Sequence, residues 1–217
     1  MQIVSGAVGK ETIHYEAPSF ERLNAEMKRF LAWFNTPSPT DPVIAAAIAH
    51  FWFVTIHPFD DGNGRLARAI ADMLLARSEK SPLRFYSMSA RIQQERKDYY
   101  DILERCQKGD LDISLWVEWF LGCLKRAIET AEHTLEAILT KARFWEAHAH
   151  QPFNTRQRDI LDRLLDGFTG KLTSSKWAKL EKCSQDTALR DINDLLSRHL
   201  LAKDPAGGRS TSYQLQF

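Results

Sequence analysis

The sequence predicts a mainly α fold in two parts, a helical core followed by a small helix-and-hairpin module. Three observations predict it. Apolar residues recur at three- and four-residue spacing through most of the first 147 positions, with almost no period-two alternation. Gln151-Pro152-Phe-Asn-Thr interrupts that pattern. Beyond it, three helical segments and two short strands follow in the order of a winged helix-turn-helix. The charge balance changes at the same place. His150 to Phe217 carries eleven Lys or Arg against eight Asp or Glu, while the remainder carries 18 against 20. The expected domains are therefore 1–148 and 149–217.

The elements can be justified in turn. Met1 to Pro18 reads as extended or irregular, with a possible turn at Gly6 and Gly9 and a short strand at Thr12-Ile-His-Tyr-Glu. Ser19 is a helix N-cap, and Leu23, Met27, Phe30, Leu31 and Phe34 follow at helical spacing until Pro37-Ser-Pro39. Asp41-Pro42 is a second start, an acidic N-cap with proline at the first helical position. That helix runs to about Thr55. Helical patterning resumes over Arg65–Arg77, Ala90–Cys106 and Ser114–Ala147. In the second part Thr155–Leu165, Ser174–Glu181 and Asp186–Arg198 read as helices. Leu200–Lys203 and Ser212–Gln216 read as strands flanking a wing at Gly207-Gly-Arg209-Ser.

Composition excludes several classes. Hydrophobic residues are 44% and charged residues 26%, which is ordinary for a globular chain. A formal net charge of +1 argues against a nucleic-acid coat. Three cysteines, widely spaced and with no C-x-x-C pair, fit reduced thiols and a cytoplasmic setting. Val43 to Val54 is the most apolar stretch, but it is short and interrupted by His50, so no membrane span or signal segment is expected.

One segment carries chemistry. Gly62, Asn63 and Gly64 stand where a loop enters a helix, where backbone N–H groups and the positive end of the helix dipole make an anion cradle. Arg65 and Arg68 lie three apart, on one helix face, and can both reach a phosphate chain. Asp61 sets a carboxylate beside the cradle, suited to a magnesium ion that bridges phosphates. His57 precedes the cradle, and histidine is the side chain that takes and releases a proton near neutral pH. A base, a metal carboxylate, a cradle and two arginines together point to phosphoryl or nucleotidyl transfer.

His57-Pro-Phe59-Asp-Asp61-Gly62-Asn63-Gly64-Arg65-Leu-Ala-Arg68 resembles the signature of the Fic family, H-x-F-x-D/E-G-N-G-R-x-x-R, at all eight specified positions. The chance of such a match is below about 10⁻¹⁰ per window at ordinary residue usage. The resemblance extends over most of Met1 to Ala147 and implies a Fic-type helical core with a short N-terminal β-hairpin flap. It also implies a protein adenylyltransferase that moves AMP from ATP to a Tyr, Thr or Ser hydroxyl of a target protein and releases pyrophosphate. In it His57 would be the base and Phe59 would bury its ring to pin the loop. Asp61 would hold Mg2+, and Gly62, Asn63 and Gly64 would cradle phosphates, with Arg65 on the β- and Arg68 on the γ-phosphate. A glycine at position 64, where phosphate-transferring members carry lysine, favours nucleotidyl transfer.

The resemblance extends further along the chain. Tyr99, Tyr100 and Gln107 fall where the family places an adenine pocket, and Ile13, His14 and Tyr15 fall in the target-docking flap. Many members inhibit themselves through a helix carrying [ST]-x-x-x-E-[GN]. No glutamate here is followed by Gly or Asn, so this form is expected not to inhibit itself, either because a longer protein has lost its N-terminal part or because inhibition comes from a separate chain. Other readings stay open. They are a different nucleotide donor, removal of AMP, or a DNA-binding regulator that senses nucleotide. Ser184-Gln-Asp-Thr-Ala-Leu-Arg190 resembles the recognition helix of DeoR-like winged helices, which implies a DNA or protein partner for 149–217. A homodimer is also compatible with both parts.

Overall fold

The computed structural model describes residues 2–5, 12–37, 39–79, 84–205 and 211–216. The chain divides into two compact units, Met1–Ala131 and Glu132–Phe217.

The first unit begins with two antiparallel strands, β1 (Gln2–Ser5) and β2 (Thr12–Glu16), with a register irregularity between Ile3 and Val4. Gly6 and Gly9, expected in the turn, lie outside the described residues. Six helices follow: α1 (Phe20–Asn35), α2 (Pro42–Ile56), α3 (Asn63–Glu79), α4 (Met88–Gln94), α5 (Arg96–Lys108) and the start of α6 (Ser114–Ala147). α2 lies at the centre of this unit. Asp41 caps it, its Oδ1 accepting from Val43 N at 2.8 Å and Ile44 N at 3.3 Å, and Pro42 opens it. Its small residues, Ala45, Ala46, Ala47 and Ala49, are almost fully buried on several sides of the helix and let neighbouring elements approach closely. Phe30 of α1 packs its ring against Phe34, Trp52 and Phe53 at 5.6 to 5.8 Å. Trp116 of α6 is fully buried and donates its indole N–H to Ala47 O at 2.8 Å. α2 is therefore held from both sides, and its C-terminus is a fixed point.

The helix expected over Ala90–Cys106 is broken at Glu95, which has φ −101° and ψ 29° and separates α4 from α5. Glu95 finds its partner 31 residues further on. Arg126 of α6 donates to Glu95 Oε1 from Nε at 2.7 Å and to Oε2 from Nη2 at 2.6 Å. This forked pair holds the Glu95 carboxyl below its usual pKa and anchors the break to α6.

The second unit contains the end of α6, then α7 (Thr155–Leu165), α8 (Ser174–Leu180) and α9 (Gln185–Ser197). A three-stranded antiparallel sheet, β3 (Leu172–Thr173), β4 (Leu201–Lys203) and β5 (Ser212–Leu215), has the order β3-β5-β4. The two-residue strand β3 carries no period-two pattern for sequence reading to find. The division inside α6 falls earlier than Pro152 because Phe144 and Trp145 pack into this unit's core with Ile160, Leu161, Trp177 and Ile192. Asn154 and Gln157 form a capping box at the start of α7, and Arg156 forks onto the buried Asp191 carboxylate at 2.7 and 3.1 Å. The expected wing, Gly207 to Ser210, lies outside the described residues.

Candidate functional site

α2 is capped at its C-terminus by His57, which adopts the left-handed conformation with φ 52° and ψ 57°, and α3 begins at Asn63. The six residues from His57 to Gly62 therefore join two closely packed helices. Its own chemistry keeps it in shape. Asn63 is 2% exposed; its Oδ1 accepts from Phe59 N at 3.0 Å, and its Nδ2 donates to Phe59 O at 2.5 Å. Gly62 has φ +87°, a conformation that L side chains resist. Asp61 Oδ1 accepts from Gly62 N at 2.6 Å.

These contacts revise one expectation. Phe59 is 49% exposed, with its ring centroid 6.5 Å from that of Phe53, so it is not buried to pin the loop. The Asn63 amide pins it instead, because its donor and acceptor both close onto one backbone residue. Asn63 thus serves the loop through its side chain, which leaves its backbone N–H at the helix start.

The first amide of α3 with a helical partner is that of Leu66, which donates to Gly62 O at 3.0 Å. The N–H groups of Asn63, Gly64 and Arg65 precede it, as the leading amides of any α-helix do, and are available to an anion. They open into a cavity of about 240 Å³ lined by His57, Asp60, Asp61, Gly62, Asn63, Gly64, Arg65, Arg68 and Tyr100. Arg65 Nη2 donates to Asp61 Oδ2 at 2.8 Å, an exposed pair that a phosphate can displace at little cost. Arg68 enters no ion pair among the described residues and retains its full charge for a ligand.

His57 Nδ1 lies 3.2 Å from Val54 O. A carbonyl only accepts, so Nδ1 carries the proton and donates. The bare nitrogen of the neutral ring is then Nε2, the atom that can accept a proton from a substrate. Fixing the tautomer by a bond to its own helix makes His57 a proton acceptor without a carboxylate partner.

The remaining expected residues divide. Tyr100 is 52% exposed and lines the cavity, with the Arg96 guanidinium 5.6 Å from its ring centroid. Tyr99 is 3% exposed and packs against Trp116 and Trp119 in the core. Gln107 donates its amide to Thr55 Oγ1 at 3.1 Å and is not among the cavity residues. Ile13 is 49% exposed on β2. His14 Nδ1 is 2.6 Å from Glu104 Oε2, and Tyr15 Oη donates to Thr55 O at 2.9 Å, so β2 is tied to α5 and to the last turn of α2. Burial raises the Tyr15 phenol pKa, which keeps it a donor.

Sequence reasoning noted His50 as an interruption but gave it no role. It is fully buried on α2, where it and Thr55 are the polar residues of an otherwise apolar helix. A larger groove, about 610 Å³, lies in the second unit beside Ile138, Lys141, Trp145 and Asp166. Lys141 there is paired with Asp166 at 2.9 Å. The smaller cavity holds the residues of the expected site. Among the described residues no cluster of three or more His, Cys, Asp or Glu converges on a metal position, and no helix is long and apolar enough to cross a membrane.

Residues 3–75 match the model of the Fic/DOC family. The chain is 34% identical over 116 residues to the protein adenylyltransferase Fic of Nematostella vectensis, an alignment covering 52% of this chain and 25% of that protein. It is 35% identical over 105 residues to the Drosophila melanogaster protein of the same name, covering 48% of this chain and 20% of that one. The alignments thus span a quarter or less of these relatives' length. A Fic family protein from Desulfovibrio desulfuricans G20 has a similar fold, with a TM-score of 0.51 at 22% identity over 95% of this chain and 57% of that one.

Proposed function

From the Fic/DOC match at residues 3–75 and the cavity lined mostly by that segment, we propose that this chain is a protein adenylyltransferase, transferring AMP from ATP to a hydroxyl side chain of another protein. The observation that carries the reading is the union, in one cavity, of an imidazole with a bare Nε2 and a helix start flanked by two arginines. In the reaction, the target's hydroxyl oxygen forms a bond to the α-phosphorus. The bond from that phosphorus to the bridging oxygen of the β-phosphate breaks, and pyrophosphate leaves with the electron pair. The hydroxyl proton passes to His57 Nε2.

The amides of Asn63, Gly64 and Arg65 hold phosphate oxygens, Arg65 turns from Asp61 to the β-phosphate, and Arg68 meets the γ-phosphate. Magnesium fits the donor set, because one or two carboxylates with substrate phosphates and water are its ordinary ligands, and Asp61 presents hard oxygens at the rim. When bound, the ion would neutralise phosphate charge. Tyr100 offers a ring in the cavity for the base, and the two-stranded β1–β2 hairpin suits a target segment adding as a strand. A separate inhibitory chain would act by occupying Arg68.

Incubation with α-labelled ATP, magnesium and a cell extract tests this. Label is expected on protein with the native chain and to fall by at least about a hundredfold with His57→Ala. Label that survives the substitution would sink His57 as base. No label with ATP but label from another nucleotide would change the donor.

We infer that the second unit is a winged helix, on the order α7-β3-α8-α9-β4-β5 and the packing of α8 against α9. Gln185 and Asp186 are exposed at the start of α9, with Lys179, Arg190 and Lys203 exposed nearby in sequence, an arrangement that suits duplex DNA. Salt-dependent binding of the chain to duplex DNA is expected. No binding at low salt would leave a protein partner, including a second copy, as its use.

A further inference from the structure

The end of α2 that carries His57 has two carbonyls that the helix itself does not satisfy. Val54 O would take the amide four residues on, but residue 58 is a proline and has no N–H. Thr55 O would take the amide of Phe59, which donates instead to Asn63 Oδ1 at 3.0 Å. Side chains satisfy both carbonyls. His57 Nδ1 donates to Val54 O at 3.2 Å, and Tyr15 Oη of β2 donates to Thr55 O at 2.9 Å. The bond that fixes the His57 tautomer and the bond that ties down β2 therefore fall on consecutive residues of one helical turn.

β2 is shaped to make that bond. Its register with β1 steps from Tyr15 opposite Ile3 to Ile13 opposite Val4, so β2 carries His14 as one extra residue. A regular strand sends neighbouring side chains to opposite faces, and a bulge re-aims them. His14 and Tyr15 are accordingly both half-buried, while Ile13 and Glu16 on either side are exposed. His14 Nδ1 meets Glu104 Oε2 of α5 at 2.6 Å, and Tyr15 reaches α2. α5 also holds Thr55, through Gln107 Nε2 donating to its Oγ1 at 3.1 Å. β2 is thus braced on α5 and bonded to the turn that precedes the imidazole.

We propose that Tyr15 is a positioning residue: its phenol holds the last turn of α2 to β2, and so sets where His57 Nε2 stands relative to a hydroxyl presented along that strand. This rests on the reading of His57 as the base and of the β1–β2 hairpin as the place where a target segment adds. What the Tyr15 hydroxyl contributes beyond its ring is the bond to Thr55 O.

The test compares the full native chain with Tyr15→Phe, which removes that oxygen and keeps the ring. Nitrogen NMR of His57 reads its tautomer, and calorimetry reads binding of ATP with magnesium. The initial rate of labelling of protein in a cell extract, from α-labelled ATP, reads transfer. The native His57 is expected as the Nδ1–H tautomer alone. In Tyr15→Phe the turn frays, the bond to Val54 O weakens, and a mixture of tautomers is expected. The labelling rate at saturating ATP should fall about tenfold, with ATP affinity changed less than about twofold, because the leading amides of α3 and Arg68 are untouched. A single tautomer in the variant, or an unchanged rate, would overturn the proposal. ATP binding weakened as much as the rate would also overturn it, since that marks general structural damage. No label with the native chain, or label surviving His57→Ala, would sink the transfer reading itself, and the tautomer then decides the link from β2 to His57 alone. Should Tyr15→Phe not fold, His14→Ala, which removes the bond from β2 to Glu104, is expected to show the same pattern.

Discussion

Acid should unfold this protein partly through one residue, His50. Its imidazole is fully buried, with Tyr99 of α5 and Trp116 and Phe120 of α6 around it and the Arg68 charge of α3 acting on it. Burial first and Arg68 second lower it to about 3 in the folded protein, whereas an unfolded histidine titrates near about 6.5. Between those values the unfolded chain binds one more proton than the folded chain, so stability rises with pH across that window and falls as pH drops through it. The slope is about 1.4 kcal/mol per pH unit, or about 3 kcal/mol lost between pH 7 and pH 4.5 from this side chain alone. Denaturant melts of the full chain at half-unit pH steps, for the native sequence and for His50→Gln, isolate the effect. Carboxylates held low by partners, such as Glu95 beside Arg126, lose their contribution in both proteins and cancel in the difference. The native curve should fall below pH 6.5 by about 3 kcal/mol more than the variant's. Parallel curves down to pH 4.5 would refute the reasoning, because a buried neutral imidazole has no way to avoid that linkage.

Gly62 and Gly64 should fail for different reasons. Gly62→Ala forces a side chain onto φ +87° and should lower stability by about 1–2 kcal/mol in a melt. A Cβ at Gly64 would sit 3.7 Å from Arg68 Nη1, an ordinary contact, so Gly64→Ala should melt with the native protein yet lose at least about tenfold in AMP transfer by crowding the phosphates. Unchanged transfer would remove Gly64 from the cradle. In the second unit, Asp191→Ala leaves Arg156 and Asn154 without their shared buried carboxylate and should cost about 3 kcal/mol, read by chemical denaturation. A loss under about 1 kcal/mol would show that solvent replaces it.

How much was legible follows from how local each cause is. The anion cradle is a contiguous stretch in which loop glycines, helix start and arginines succeed one another, so spacing alone locates it. Asp41-Pro42 is legible for the same reason, since a cap acts within three residues. The break at Glu95 was not, and the arginine that pairs with Glu95 stands on α6, far away along the chain. Tyr99 and Tyr100 look alike in sequence, yet a rotation of about 100° per residue sends one into the core and the other to the cavity. Only the packing of α5 against its neighbours tells them apart.

The sequence by itself determined which side chains stand at the helix start. The tertiary structure decided what those side chains are free to do. It turned Asn63 inward to hold the loop, directed His57 Nδ1 to its own helix so that Nε2 stays bare, and paired the buried His50 with Tyr99 in the core. Chemistry written within twelve residues depends on covalent order. The protonation state and freedom of each group depend on burial and on partners far away along the chain, which exist only once the helices have packed.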